Sequence, residues 1–454
     1  MTATPLASVP AAPGTPAAED EVVEVAQHLL RIDTANDGSD IHPGERPAAE
    51  YVAEQLAEAG VHADIFEHRP GRANLVARIE GTDPTQGALL LHGHLDVVPV
   101  RADDWSVDPF AGEIIDQPGV GPVLWGRGAL DMKGTDAIFL TAVRQLARSG
   151  RRPRRTIVFG QFADEEASGY QGAKWMAPAH AEALEGVTDA ITEGGGESLT
   201  IGGRRAYVLQ TAEKSYAWLR LTVHGTAGHG SLQNQDNAVS RLAAALARVA
   251  AHHWPLRLTP TVEELLRRLS ELSGLPFDPT DEDSLAALAG AADGIGPGVL
   301  ASLRTVANPT GFTAGYKPNV IPSAAQATID VRIPPGFERE DERTLRELLG
   351  PDVEIESIAA ADGISSPFSG PTVDAVADAL RRQDPGAVLL PFTMSGGTDN
   401  KALSALGLRG YGFSPAQFPD DFSTAGLVHG VDERIPVSTL RFGARVIADL
   451  LAHV

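Results

Sequence analysis

The sequence predicts an α/β protein with a layered main domain split by a smaller inserted α+β domain. Three observations carry this. The chain has 454 residues, more than one hydrophobic core ordinarily serves. Helices alternate with short apolar strands through the first part, as in a layered α/β domain. From about Tyr207 the strands instead alternate polar and apolar, and the first style returns after residue 360. The predicted boundaries are 1–206 and 361–454 for the main domain and 207–360 for the insertion.

The elements follow in order. EDEVVEVAQHLLRI (19–32) has helical spacing, and ERPAAEYVAEQLAEAG (45–60) is a helix stopped by Gly60. Strands are predicted at 74–81 and 88–95, then a helix at 135–150, a strand at 156–162, and a strand at 189–194 ending in glycines. AWLRLTVHG (217–225) alternates as a half-exposed strand, and 236–253 is a helix. Residues 258–310 read as helical, acidic and punctuated by Pro and Gly, more an insertion than a core element. AAQATIDVRI (324–333) is a strand, 339–350 a helix and 352–358 a strand. Helices at 371–382 and 437–454 restore the first style. Residues 1–17 read as a flexible tail, without the basic start and apolar centre of a secretory leader.

Composition narrows the chemistry. A hydrophobic fraction of 43% and a charged fraction of 21% suit a soluble globular protein. The net charge of −23 argues against nucleic acid and anionic membranes as partners. No apolar stretch approaches the ~20 residues of a spanning helix, so a cytoplasmic protein is expected. There are no cysteines, which leaves His, Asp and Glu to hold any metal.

Four stretches place such residues at predicted strand ends. ALLLHGHLDVVPV (88–100) puts His92, His94 and Asp96 on one face. LWGRGALDMKG (124–134) surrounds Asp131 with glycines, FADEEASG (162–169) pairs Glu165 with Glu166, and ITEGGG (191–196) carries Glu193. Each alone has an ordinary structural explanation: a hydrogen-bonded His–Asp pair, a solvated helix start, a helix cap, a turn. Ligands collect at the carboxyl ends of strands in α/β sheets, and carboxylates gathered there repel unless a cation sits among them. Mixed imidazole and carboxylate ligands suit zinc.

HGHLDVVP, GRGALDMKG, ADEEASG, TEGGG and the late VHGVDERIP (428–436) together resemble the dizinc metallopeptidase family. That family includes aminoacylases, glutamate carboxypeptidases, yeast carboxypeptidase S-like enzymes and succinyl-diaminopimelate desuccinylases. The resemblance implies a zinc-exopeptidase-like catalytic domain, a mixed sheet between helices, with an inserted ferredoxin-like lid and dimerisation domain. It implies two zinc ions per chain, with cobalt or manganese as substitutes. His94 and Glu193 would bind one, Glu166 and His429 the other, and Asp131 both; Glu165 would be the general base. Asp96 would accept the other N–H of the His94 imidazole, and the peptide after Asp131 would be cis. His92 has no family role and reads as structural.

The inserted domain carries a second set. GTAGHGSLQNQDNAV (225–239) resembles the lid motif, in which His229 would reach across a homodimer to the reacting oxyanion; GSLQ lacks the proline usual two residues after the Ser. KPNVIPSAAQATIDVRIPPG (317–336) resembles the segment whose Asn319 and Arg332 grip substrate, and MSGGTDNKAL (394–403) a loop whose Ser395, Gly396 and Gly397 offer N–H groups to a carboxylate. The implied activity is cleavage of the amide bond in a short peptide or N-acyl amino acid with a free carboxylate. A non-catalytic metal- or peptide-binding relative is the alternative. A serine hydrolase is disfavoured, since no G-x-S-x-G elbow is present.

Overall fold

The computed structural model describes residues 16–39, 44–292 and 294–454. The tail predicted over 1–17 lies, up to residue 15, outside them. The chain forms two compact units. The first comprises the residues up to Thr211 with Ser366–Pro391 and Thr398–Val454, the second Ala212–Ser365 with Phe392–Gly397.

The first unit is built on a mixed sheet. Its strands lie in the order Ala63–Arg69, Arg72–Ile79, Ile157–Phe162, Ala88–His94, Val187–Thr192, Arg409–Gly412 and Arg204–Glu213. The four in the middle, from Ile157–Phe162 to Arg409–Gly412, run parallel, and their neighbours on either side antiparallel. Parallel strands are covered on both faces, and every residue of Ala88–His94 is buried. Leu89 and Leu91 pack in a core with helices Ala18–Arg31, Lys133–Arg148, Pro371–Gln383 and Val437–His453. Leu90 joins Phe162, Met176 and Leu184 on the opposite face. Each such leucine contributes about 2 kcal/mol by leaving water. With both faces filled, the carboxyl edge of the four parallel strands is where side chains can gather.

Most predicted elements form within one to three residues of their expected ends. The strand Arg409–Gly412 was not legible, because its sequence is RGYG. Both glycines are forced by close packing: a Cβ at Gly412 would meet the Glu193 carbonyl oxygen at 2.3 Å, and one at Gly410 the Asn400 side chain at 2.5 Å. Arg204–Glu213 escaped for another reason. Its buried run includes Gln210, Thr211 and Glu213, polar residues that mask a core strand.

The second unit is built on four strands and two helices in βαββαβ order: Ser215–His224, Ala238–Ala251, Val306–Ala314, Ala324–Ile333, Glu338–Leu349 and Glu354–Ala361. The strands lie in the spatial order 306, 324, 215, 354 and pair antiparallel throughout. That is the ferredoxin-like arrangement. Leu221, Val223, Ile329 and Val331 meet Leu242, Val249 and Leu345 of the helices, which accounts for the alternation read in the sequence. Between the first helix and second strand lie three further helices, Pro260–Ser273, Glu282–Gly290 and Gly296–Ser302. The helical reading to residue 310 overran them, since 306–314 is an edge strand. Pro309 and Gly311 disguise it; a sheet edge tolerates both, and the ladder shifts register between them.

Candidate metal centre and active site

The carboxyl edge of the first unit gathers the residues marked in the sequence. His94 ends its strand, Glu165 and Glu166 follow Ile157–Phe162, and Glu193 follows Val187–Thr192. Asp131 stands two residues before helix Lys133–Arg148, and His429 five before the strand Arg434–Pro436. His94 Nε2 lies 3.2 Å from Asp131 Oδ1 and 3.5 Å from Glu193 Oε1. His429 Nε2 lies 3.1 Å from Asp131 Oδ2 and 3.0 Å from Glu166 Oε2. Asp131 thus turns one oxygen to each imidazole. Glu165 stands beside His94 and Glu193, one donor atom from each of the three falling within 4.8 Å of the others. The Asp131–Met132 peptide is cis, and His429 holds a left-handed φ of 59°, a conformation that costs a non-glycine residue roughly 1 kcal/mol.

The spacing and electrostatics fit a pair of divalent ions. Tetrahedral zinc with bonds near 2.0–2.1 Å sets its ligand atoms about 3.3 Å apart, close to the 3.0–3.5 Å seen here. Burial, then the nearby Asp131, pushes the Glu193 carboxyl up to about 8. Burial raises Glu165 well above the usual carboxylate range, and Glu193, Asp399 and Glu166 add to it against the pull of His94. Asp131 goes the other way: although buried, it is held low by the imidazoles of His429 and His94. Those carboxylates in turn hold His429 up to about 10, through its bonds to Asp131 and Glu166. Protons on imidazole and carboxyl groups here offset charge that a cation pair would offset.

One supporting residue behaves differently from the sequence reading. Asp96 does serve His94, but through its main chain: His94 Nδ1 is 2.9 Å from the Asp96 carbonyl oxygen and 3.7 Å from its carboxylate. The carboxylate instead accepts the backbone N–H groups of Glu165 and Glu166, each at 3.1 Å. His92 faces Phe162 and hydrogen-bonds Asn400 at 3.1 Å; burial pulls its imidazole down to about 4, so it stays neutral.

Glu433 is a functional residue the sequence reading passed over, although it lies in the quoted VHGVDERIP. Its buried carboxylate accepts the N–H groups of Gly128 (3.0 Å), Leu130 (2.7 Å) and Asp131 (3.0 Å) and pairs with Arg127 at 2.5 Å. It therefore sets the loop that presents Asp131. Glu433→Ala leaves a guanidinium only 3% exposed without its carboxylate, and unfolding stability should fall by about 3 kcal/mol, read from the urea midpoint. A loss below about 1 kcal/mol would contradict this role.

In the second unit the predicted residues separate into two places. Gly228–His229 pairs antiparallel with Val320–Ile321, and Gly230 N–H bonds the Asn319 carbonyl oxygen at 2.9 Å. His229 and Asn319 are therefore neighbours; His229 is exposed, with Nδ1 2.8 Å from Ser231 Oγ. Arg332 lies near the far end of strand Ala324–Ile333, about 26 Å from its start at the usual rise per residue. The guanidinium bonds both oxygens of Asp330, at 2.7 and 3.0 Å, and the Ser395 carbonyl oxygen at 3.3 Å. Arg332 thus keeps company with Ser395, ahead of Gly396 and Gly397. Asn319 precedes that ten-residue strand and Arg332 lies near its end, so the two stand at different places along one segment. A short helix, Asn400–Leu403, follows the Ser395–Gly397 loop in the chain.

Imidazoles and carboxylates crowded at the carboxyl edge of a parallel sheet, in a chain that also carries a ferredoxin-like unit, define a hydrolase. A model of Peptidase family M20/M25/M40 matches residues 90–453, and the chain belongs to that family. It is 29% identical over 398 residues to human N-fatty-acyl-amino acid synthase/hydrolase PM20D1, covering 83% of this chain and 76% of that protein. To human aminoacylase-1 it is 27% identical over 441 residues, 96% of each. Among solved structures it resembles the M20 family metallo-carboxypeptidase Sso-CP2 of Sulfolobus solfataricus, with a TM-score of 0.71 at 18% identity over 95% of this chain and 99% of that one.

Proposed function

We propose that this hydrolase cleaves the amide bond of an N-acyl amino acid or short peptide bearing a free carboxylate, with two divalent ions, zinc before cobalt or manganese. The observation that carries the reading is Asp131, whose two oxygens face two separate imidazoles while the Glu165 carboxyl stands next to the cluster. The names of the relatives support the substrate class: one is an N-fatty-acyl-amino acid synthase/hydrolase, another an aminoacylase.

His94 and Glu193 would hold one ion, Glu166 and His429 the other, and Asp131 both. Bound there, such a pair lowers the pKa of water and polarises a carbonyl. Glu165, raised by burial and like charges, takes a proton on its carboxyl oxygen and delivers it to the leaving nitrogen. Asp96 keeps His94 and the Glu165–Glu166 turn in place. His229 would hydrogen-bond the substrate oxygen as it gains charge, acting across a homodimer formed through the second unit. Asn319 sits beside His229 and would act from the same side. Arg332 and the Ser395–Gly397 loop would hold the substrate carboxylate.

The test is a hydrolysis screen of N-acyl amino acids and dipeptides, each with a free and an amidated carboxylate, in zinc, cobalt or manganese. Turnover confined to free carboxylates is expected, and equal turnover of the amides would refute the carboxylate requirement. Arg332→Met should raise KM for the preferred substrate by about tenfold or more, the worth of a charge-assisted hydrogen bond. An unchanged KM would remove Arg332 from the substrate site.

A further inference from the structure

A buried network behind the glutamate pair brings in Asn36, Glu45 and Arg72, which lie in no motif assigned above. Asn36 Nδ2 donates to Asp96 Oδ2 at 2.9 Å and to Asp164 Oδ1 at 3.1 Å. Asn36 Oδ1 accepts from Arg72 Nη2 at 2.7 Å. Arg72 also bonds Asp164 Oδ1 at 2.8 Å and Glu45 Oε1 at 2.8 Å. Arg72 is 9% exposed, Asn36 and Asp164 3%, Glu45 and Asp96 not at all. Three buried carboxylates thus meet one guanidinium, two directly and one through an amide.

The network ends on the reacting residues. Asp96 carries the N–H groups of Glu165 and Glu166 on its two oxygens. Asp164 immediately precedes them, with a left-handed φ of 68°. Its other carboxylate oxygen takes the Ser168 hydroxyl and the Gln171 N–H, at 2.9 and 3.1 Å. Asn36 is tied to the main chain beside Asp96, donating its N–H to the Val97 carbonyl oxygen at 2.8 Å. Two routes therefore run from Arg72 to Glu165: through Asn36 and Asp96, and through Asp164.

We propose that Asn36 and Arg72 are positioning residues for Glu165, setting the turn that aims its carboxyl at the candidate metal pair. The catalytic part of this rests on the function proposed above; the structural part does not. Their neighbours explain the choice of residue. Only an amide can donate to two carboxylates while accepting from a guanidinium, and only the planar fork of arginine spans Glu45, Asn36 and Asp164 together. A lysine reaches one partner as a point charge. A purely architectural role would spread over the whole unit when disturbed. A positioning role acts on one turn.

The experiment uses Asn36→Ala, with Arg72→Lys as the second variant, in the full chain. Amide hydrogen exchange without added metal should quicken about tenfold or more at Glu165 and Glu166, with strand Ile157–Phe162 unchanged. On a substrate that the parent protein hydrolyses, kcat should fall about tenfold or more with KM within about threefold and metal content unaltered, as for a misplaced reacting group. Arg72→Lys should do the same more weakly, since it keeps the charge. Unchanged exchange at Glu165 and Glu166, or quickening spread over the first unit, overturns the proposal. If the parent hydrolysed no such substrate the functional reading would fail, and the exchange result would still decide whether Asn36 and Arg72 hold the turn.

Discussion

Glu165→Gln should lower kcat by roughly a thousandfold while about two metal ions per chain remain, the size of effect general acid–base groups supply. The argument is one of division. Asp131, Glu166 and Glu193 have oxygens within 3.0–3.5 Å of an imidazole nitrogen, the spacing that ligands of one ion would have. Glu165 shares the cluster, and its amide is held by Asp96, so its carboxyl is placed without being tied to His429 as Glu166 is. Stability should respond in the opposite sense to activity. The folded carboxyl titrates above its ordinary 4.5, so the folded state binds more protons than the unfolded state as pH rises past that value, and stability is lost through this window. Removing the charge should leave the metal-free protein no less stable at neutral pH. Kinetics and metal analysis on one preparation decide it; a variant keeping a tenth of parental kcat would strip Glu165 of its role.

Asp131→Ala should have the other large effect, taking metal content from about two ions per chain to near none and activity with it. Removing an ordinary ligand weakens one site, but Asp131 faces both imidazoles and would be shared by both ions. It is also the carboxylate of the cluster that is held most clearly in its charged form, by His429 and His94. Once it is gone, the ions would lose a common bridge and both imidazoles a partner. Metal analysis after dialysis reads the outcome directly. Retention of both ions would mean that Asp131 does not bridge. Treating the parent protein with a chelator should reproduce the loss reversibly, and chelator-insensitive hydrolysis would remove metal from the reaction altogether.

The site was legible where its parts are local. His94, Glu165, Glu166 and Glu193 each follow a run of apolar residues, and such runs end at the same edge whenever the strands are parallel. The core strands and most helices were legible for the same reason: periodicity and apolar runs are properties of consecutive residues. Arg409–Gly412 was not, since its glycines answer to the Asn400 side chain and to Glu193, and Glu193 is distant in sequence. The edge strand Val306–Ala314 was misread because Pro309 and Gly311 look like breakers to any local rule.

From the order of residues alone came the α/β class, the inserted domain, the absence of thiol chemistry and the set of donors at strand ends. Tertiary structure decided how those donors act on one another. It turned the Asp96 carboxylate from an imidazole to two main-chain amides, gave Glu433 the loop of Asp131, set Arg332 against Ser395, and joined Asn36 to Arg72 behind the glutamates. The reason is physical. Which way a side chain leaves a strand depends on its near neighbours, whereas what it meets depends on distant chain segments that only packing brings beside it, as with Asp131 and Glu433, 302 residues apart.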